Sequence, residues 1–338
     1  MKMRFAISGA GHIANTHAIA IQNSGRAEVV AVVARVPKTA EEFAWAHGVN
    51  CIYHTVDELL KVGNIDGLVI CVPNSLHAPQ AITALQAGIP VLVEKPMAMN
   101  AREAEKMVEA SEKSSVQLMV GHCWRFDEEV NWLKGQVKGG KLGKINRTKG
   151  YAIHVNWGPS GWFTNKKYAG GGAMIDMGVH ALDTTRYLLG DPNPVSVYAR
   201  TGTHYGKGDV EDTAILVVNW DNDVVSYIES GWWQPHMDGP AAATRLYGKK
   251  GYGSIFPTQL EIQNKDTDEV DVIDPGFENP RKNHFPQEMY DRQMFAFIRA
   301  IETHKRVRPS GLDGLINMKV LDAAYRSSET GKSVEIKV

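Results

Sequence analysis

One stretch near the start of the chain narrows the possible folds more than any other. Residues 5–14 read Phe-Ala-Ile-Ser-Gly-Ala-Gly-His-Ile-Ala. A short strand-like segment runs straight into Gly9-x-Gly11-x-x-Ala14, and a helical run, 15–23, follows. A buried parallel strand that turns sharply into a helix needs this composition. Gly9 permits the tight turn. Gly11 leaves room for a pyrophosphate at the backbone, and Ala14 lets the helix lie close to the strand. The helix N-terminus then offers open N–H groups and a partial positive charge. Gly9, Gly11, His12 and Ile13 are therefore expected to bind phosphate. A strand–turn–helix whose glycines serve geometry alone would show the same pattern.

Strand and helix patterns go on alternating after this turn. Continuous apolar runs at 29–34, 67–72, 90–93 and 117–120 read as buried strands, and 39–47, 56–62, 77–87 and 101–114 read as helices. This alternation predicts an α/β domain with a doubly wound parallel sheet over residues 1–122. The character changes afterwards. Segments 214–220 and 224–229 alternate apolar and polar residues, as strands with one covered face do. Helices are expected at 173–189, 287–304 and 314–330. Residues 123–338 thus read as a second α/β domain with a mostly antiparallel sheet. A length of 338 residues with 43% hydrophobic content can fill two cores.

Several partner classes are not expected. A formal net charge of -1 gives no footprint for nucleic acid or an anionic membrane. No apolar run reaches the roughly 18 residues of a membrane span, and the start lacks the apolar core of a signal peptide. A cytoplasmic protein is expected. Cys51, Cys71 and Cys123 are too widely spaced for a disulfide framework or a zinc motif, and no metal is expected.

The second strand ends at Arg35. NAD enzymes of this fold place an acid about 20 residues past the glycines, to bind the ribose 2′-hydroxyl. Here no acid follows until Glu41. An arginine suits a 2′-phosphate, with Lys38 beside it, so NADP is favoured over NAD. The strand at 67–72 runs into Pro73, Asn74 and His77, at the edge where open α/β sheets bind ligands. Glu94-Lys95-Pro96 ends the next strand, and Pro96 holds Lys95 extended. In the second domain, Gly170-Gly-Gly-Ala-Met-Ile-Asp176-Met-Gly178-Val-His180 puts Asp176 and His180 four apart on one helix face. The three glycines are expected to let the backbone approach a ligand.

Together these motifs resemble the glucose–fructose oxidoreductase / inositol dehydrogenase / rhizopine-catabolism (Gfo/Idh/MocA) family. The resemblance also takes in Trp124-Arg125-Phe126, Trp162-Phe163 and the tail from Asp322 through Tyr325 to Gly331. It implies a Rossmann domain followed by an open-sheet domain that pairs subunits as a homodimer or homotetramer. It implies an NAD(P)-dependent dehydrogenase acting on a sugar, polyol or cyclitol, with Lys95, Asp176 and His180 as the catalytic set. Either Lys95 or His180 could take the hydroxyl proton. Arg125, His154 and Trp162 are the expected substrate contacts, with Trp157, Tyr168, Trp232, Trp233 and His236 as further candidates. A redox glycosidase and a non-catalytic NADP-binding regulator are the alternatives.

Overall fold

The computed structural model describes residues 2–236, 241–264, 267, 269–279 and 281–338. It contains two compact units. One comprises Met1–Cys123 with Pro286–Met318, the other Trp124–Phe285 with Lys319–Val338.

In the first unit strand and helix alternate as β1 (Met3–Ser8), α1 (His12–Asn23), β2 (Ala27–Val33), α2 (Pro37–His47), β3 (Cys51–Tyr53), α3 (Val56–Val62), β4 (Gly67–Ile70), α4 (His77–Gln86), β5 (Val91–Val93), α5 (Ala101–Ser114) and β6 (Leu118–Val120). All pairings are parallel, in the order β3-β2-β1-β4-β5-β6. This is a doubly wound sheet that changes direction between β1 and β4, and ligands of such sheets bind outside the strand ends at that point. β4, β5 and β6 are buried throughout. Each fully buried Val, Leu or Ile there contributes about 1.5–3 kcal/mol. Helix starts follow their caps. The Thr55 hydroxyl accepts from Glu58 N at 3.1 Å, and Asn100 Oδ1 accepts from Glu103 N at 2.9 Å.

The second unit holds α6 (Glu128–Lys138), β7 (Ile145–Val155), α7 (Lys166–Ala169), α8 (Val179–Leu188), β8 (Pro194–Gly202), β9 (Thr213–Trp220), β10 (Val225–Gln234), β11 (Ala242–Gly248), β12 (Gly251–Ile255), β13 (Gln259–Gln263) and β14 (Val270–Ile273). After α9 (Gln287–Thr303) and α10 (Gly311–Thr330), β15 (Val334–Glu335) completes its sheet. The order is β14-β13-β12-β11-β7-β10-β9-β8-β15. β7 and β10 pair in parallel and the other neighbours antiparallel. α8 packs on β7 and β10.

The sequence reading drew one boundary, after residue 122. The contacts return the chain to the first unit at Pro286. α9 lies along α1 there. Phe297 meets Phe5 edge-on with centroids 5.9 Å apart, and Tyr290 meets His17 at 5.7 Å. Among the described residues no helix is long and apolar enough to cross a membrane. None of them gather three His, Cys, Asp or Glu side chains around a possible metal.

Candidate active site

The turn after β1 has the geometry its glycines promised. Gly9 has φ +105°, and a Cβ there would lie 2.2 Å from the carbonyl oxygen of Cys71. Only glycine fits. A Cβ on Gly11 would meet nothing within 4 Å. Gly11 is the N-cap of α1 and provides no side-chain cap for the first-turn N–H groups. Ala14 is fully buried. A dinucleotide pyrophosphate fits this cradle.

Arg35 is exposed and makes no ion pair among the described residues. It lies just before α2, whose N-terminus also lacks a side-chain cap. Lys38 forms an exposed pair with Glu42 at 3.9 Å, which is worth little.

At the ends of β4 and β5 the side chains brace one another. Asn74 is buried. His77 is buried, with Nδ1 2.8 Å from the Pro96 carbonyl and Nε2 2.8 Å from that of Val72. Burial lowers its pKa, against the pull of both carbonyls. His77 thus ties the end of β4 to the Lys95-Pro96 peptide, which is cis. Glu94 is buried and bonds His17 Nε2 through Oε1 at 2.7 Å. Its Oε2 accepts from Lys95 N at 3.1 Å. Burial pushes the Glu94 carboxyl up, but the bond and charge of His17 and the charge of Lys95 outweigh it, and the net shift is downward. The Lys95 side chain is half-buried.

Sequence reasoning missed His17. Its signal was present: a histidine on the face of α1 that also carries Ala14, Ala18 and Ile21, all fully buried. A histidine there needs a buried partner.

In the second unit the helix expected at 173–189 begins with a π turn, Met174–Gly178, and continues as α8. Single π turns inside helices are frequent at functional sites. Asp176 sits in this turn, buried, and its Oδ2 accepts from Trp232 Nε1 at 3.1 Å. His180 is buried in the next turn, 5.0 Å from Trp124 and 5.4 Å from Phe285 between ring centroids.

The glycines before the turn have a different partner from the one expected. They admit the protein's own groups. A Cβ on Gly171 would lie 1.8 Å from the Tyr325 hydroxyl, and one on Gly172 1.8 Å from the Glu211 carbonyl oxygen. Glu211 Oε1 accepts from Gly172 N (2.9 Å), Met174 N (3.0 Å) and the Tyr325 hydroxyl (2.9 Å). Its main-chain carbonyl takes Ala173 N at 2.8 Å. One buried residue therefore satisfies three successive N–H groups where the turn carrying Asp176 begins. Burial raises the Glu211 pKa and, with that carboxylate beside it, the Tyr325 pKa.

Arg125 is held inside the unit. Its guanidinium makes two 2.7 Å bonds to Asp183, on α8, and a 3.0 Å contact with Asp191. This arrangement suits a strut that fixes α8. His154 stacks on Trp157 at 3.5 Å, and Trp162 on Phe163 at 3.8 Å.

The chain is similar to known proteins over most of its length. Residues 3–122 match a family described as an oxidoreductase family with an NAD-binding Rossmann fold, and residues 130–253 match the GFO/IDH/MocA C-terminal domain. Inositol 2-dehydrogenase of Rhizobium meliloti is 29% identical over 99% of this chain and 100% of its own. A putative UDP-kanosamine synthase oxidoreductase subunit of Amycolatopsis mediterranei is 30% identical over 72% of each chain. Levoglucosan dehydrogenase in complex with NADH superposes with a TM-score of 0.89 at 22% identity over 100% of both chains, a likeness of fold. The chain belongs to the Gfo/Idh/MocA family of oxidoreductases and carries that family's NAD-binding Rossmann fold.

Proposed function

We propose that the chain is an NAD(P)-dependent dehydrogenase that moves a hydride between nicotinamide and a hydroxyl-bearing carbon of a sugar, polyol or cyclitol. The carrying observation is the open Gly11 turn at the sheet's change of direction, in a chain that also holds Glu94-Lys95-Pro96 and the Asp176/His180 turn. Relatives named for inositol, D-glucoside and D-xylose oxidation support the substrate class. They favour neither the glycosidase nor the regulator reading.

The first unit binds the cofactor through Gly9, Gly11, His12, Ile13, Pro73 and Asn74, with His77 and Glu94 bracing the Lys95 peptide. A bound nicotinamide supplies the hydride acceptor, or the donor in the reverse direction. Lys95, Asp176 and His180 carry the remaining chemistry. One of Lys95 and His180 takes the hydroxyl proton, and the other hydrogen-bonds the oxygen as charge develops. Asp176, held by Trp232, binds a neighbouring hydroxyl. His154 and Trp162 contact the substrate, and Arg125 positions α8. NADP is the favoured cofactor, because Arg35 and the uncapped start of α2 offer a cation and open N–H groups to a 2′-phosphate. The second unit pairs subunits into a homodimer or homotetramer. The exposed free thiol of Cys51 suits a reducing compartment, the cytoplasm.

The test is a panel of sugars, polyols and cyclitols, followed by the absorbance of reduced nicotinamide with either cofactor. Turnover of at least one member supports the reading. Tight cofactor binding without turnover of any would overturn it.

A further inference from the structure

Unusual local structure in the second unit converges on one tryptophan. β10 loses register with β7 between Gly231 and Gln234, and Trp233 in that interval has φ +54°. A bulky residue in left-handed backbone costs of order 1–3 kcal/mol and persists only where its surroundings hold it. Here they do. Trp233 N donates to the Trp157 carbonyl at 2.8 Å. A Cβ on Gly158 would come within 2.5 Å of the indole, and one on Gly206 within 2.6 Å. Two loops thus close on the ring as only glycine allows. The ring stays half-exposed. It stands edge-on to Trp232, centroids 5.6 Å apart, and Trp232 Nε1 donates to Asp176. Bulges re-aim side chains beside active sites in this way.

A pocket of about 580 Å³ opens at this ring, lined by His204, Tyr205, Gly206, Lys207, Trp233 and Pro235. Its loop is wound around an internal acid. The Asp212 carboxylate accepts from the N–H groups of His204 (2.9 Å), Tyr205 (2.7 Å) and Gly206 (2.6 Å). Burial would raise the Asp212 pKa, but these bonds hold it low. Among the described residues the lining contains no carboxylate. It offers an indole, a phenol, an imidazole and an amine, and its volume lies within the roughly 300–1,000 Å³ of small-molecule sites. A flat aromatic wall with convergent donors recognises a pyranose ring, whose apolar face stacks while its hydroxyls accept hydrogen bonds.

We infer that this pocket is a subsite for a second sugar ring, so that the preferred substrate is a disaccharide or glycoside whose oxidised ring is bound by Asp176. The inference rests on the dehydrogenase reading above.

Two measurements test it separately from that reading. The first compares kcat/KM for cellobiose, maltose and trehalose with glucose and myo-inositol, in the wild type and in Lys207→Ala and Tyr205→Ala. Both side chains are exposed, so these variants fold even though Trp233 is wedged between loops. At least one disaccharide should exceed glucose by roughly tenfold through KM, the worth of one good aromatic or polar contact, and each variant should shrink that ratio severalfold. Glucose or inositol turned over as well as every disaccharide, with a ratio neither variant moves, would overturn the subsite. The second is calorimetric titration of the three disaccharides into the protein without substrate turnover. If no sugar is oxidised at all, the dehydrogenase reading fails. The subsite then stands if a disaccharide binds and Lys207→Ala weakens it severalfold, and falls if none binds.

Discussion

In the proposed reaction Lys95 and His180 handle the hydroxyl proton. Replacing either with alanine should lower kcat/KM by roughly 10²–10⁴, the usual contribution of one positioned acid–base group. NADP affinity, followed by fluorescence titration, should hardly change in His180→Ala. A single variant keeping more than about a third of wild-type kcat/KM would contradict the assignment. Arg35 answers a different question. Arg35→Asp should weaken NADP and spare or improve NAD, because the new carboxylate repels a 2′-phosphate and accepts from a 2′-hydroxyl. Equal loss for both cofactors would sink the NADP preference. His17 tests the bracing of Lys95. Glu94 has its folded pKa lowered, so its contribution to stability is present above the ordinary carboxylate value and is lost as pH falls through the folded one. His17→Ala leaves a buried carboxylate without its partner, a defect that typically costs 3–5 kcal/mol. Urea midpoints should show the largest wild-type-to-variant gap near neutral pH and a narrowing gap below about pH 4.5, the ordinary Glu value. A gap independent of pH would mean that His17 acts through packing alone.

The π turn and α8 form the element that presents Asp176 and His180, and its start is fixed from outside its own sequence. Glu211→Ala leaves the N–H groups of Gly172 and Met174 and the Tyr325 hydroxyl without their acceptor. Buried unsatisfied groups cost about 1–3 kcal/mol each, so a loss of at least about 2 kcal/mol is expected in urea unfolding. Glu211→Gln keeps one acceptor oxygen and should cost less. Because burial raises the Glu211 pKa, the folded state keeps its proton longer than the unfolded chain does. Stability should therefore fall as pH rises from about 4.5 through the folded value, and Glu211→Gln should remove that slope. A wild type and a variant with parallel pH profiles would contradict this. The clamp was illegible in the sequence. Gly170, Gly171 and Gly172 announced a close approach, but Glu211 and Tyr325 lie about 40 and 150 residues away along the chain, and only the fold identifies them. The turn after β1 was legible because its requirements are local: a strand, a positive-φ glycine and a helix in direct succession. β3 escaped notice for the opposite reason. Its three residues form a partly exposed edge strand, too short to show a period.

At the scale of the molecule, the large sheet of the second unit has one face covered by α8 and the π turn. Its other face carries two rows of aligned side chains. Tyr198, Val217 and Tyr227 stand side by side on β8, β9 and β10, and Arg200, Ile215, Glu229 and Tyr151 form the next row across β8, β9, β10 and β7. Tyr198 is 41% and Ile215 37% exposed in the single chain. Such a face, aromatic and aliphatic with charges of both signs, suits self-pairing about a twofold axis, where each row meets its own copy and Arg200 can meet Glu229. Along β9, Ile215 and Val217 alternate with the buried Ala214, Leu216 and Val218 and lie on this outer face. A chain of 37.3 kDa should therefore scatter light as a dimer or a dimer of dimers at micromolar concentration. The double variant Val217→Glu with Tyr227→Glu places like charges opposite one another across the axis. It should halve the mass, or reduce a tetramer to a smaller species, with the circular dichroism spectrum unchanged. A wild type that is monomeric, or an oligomer that ignores both substitutions, would show that this face does not pair subunits.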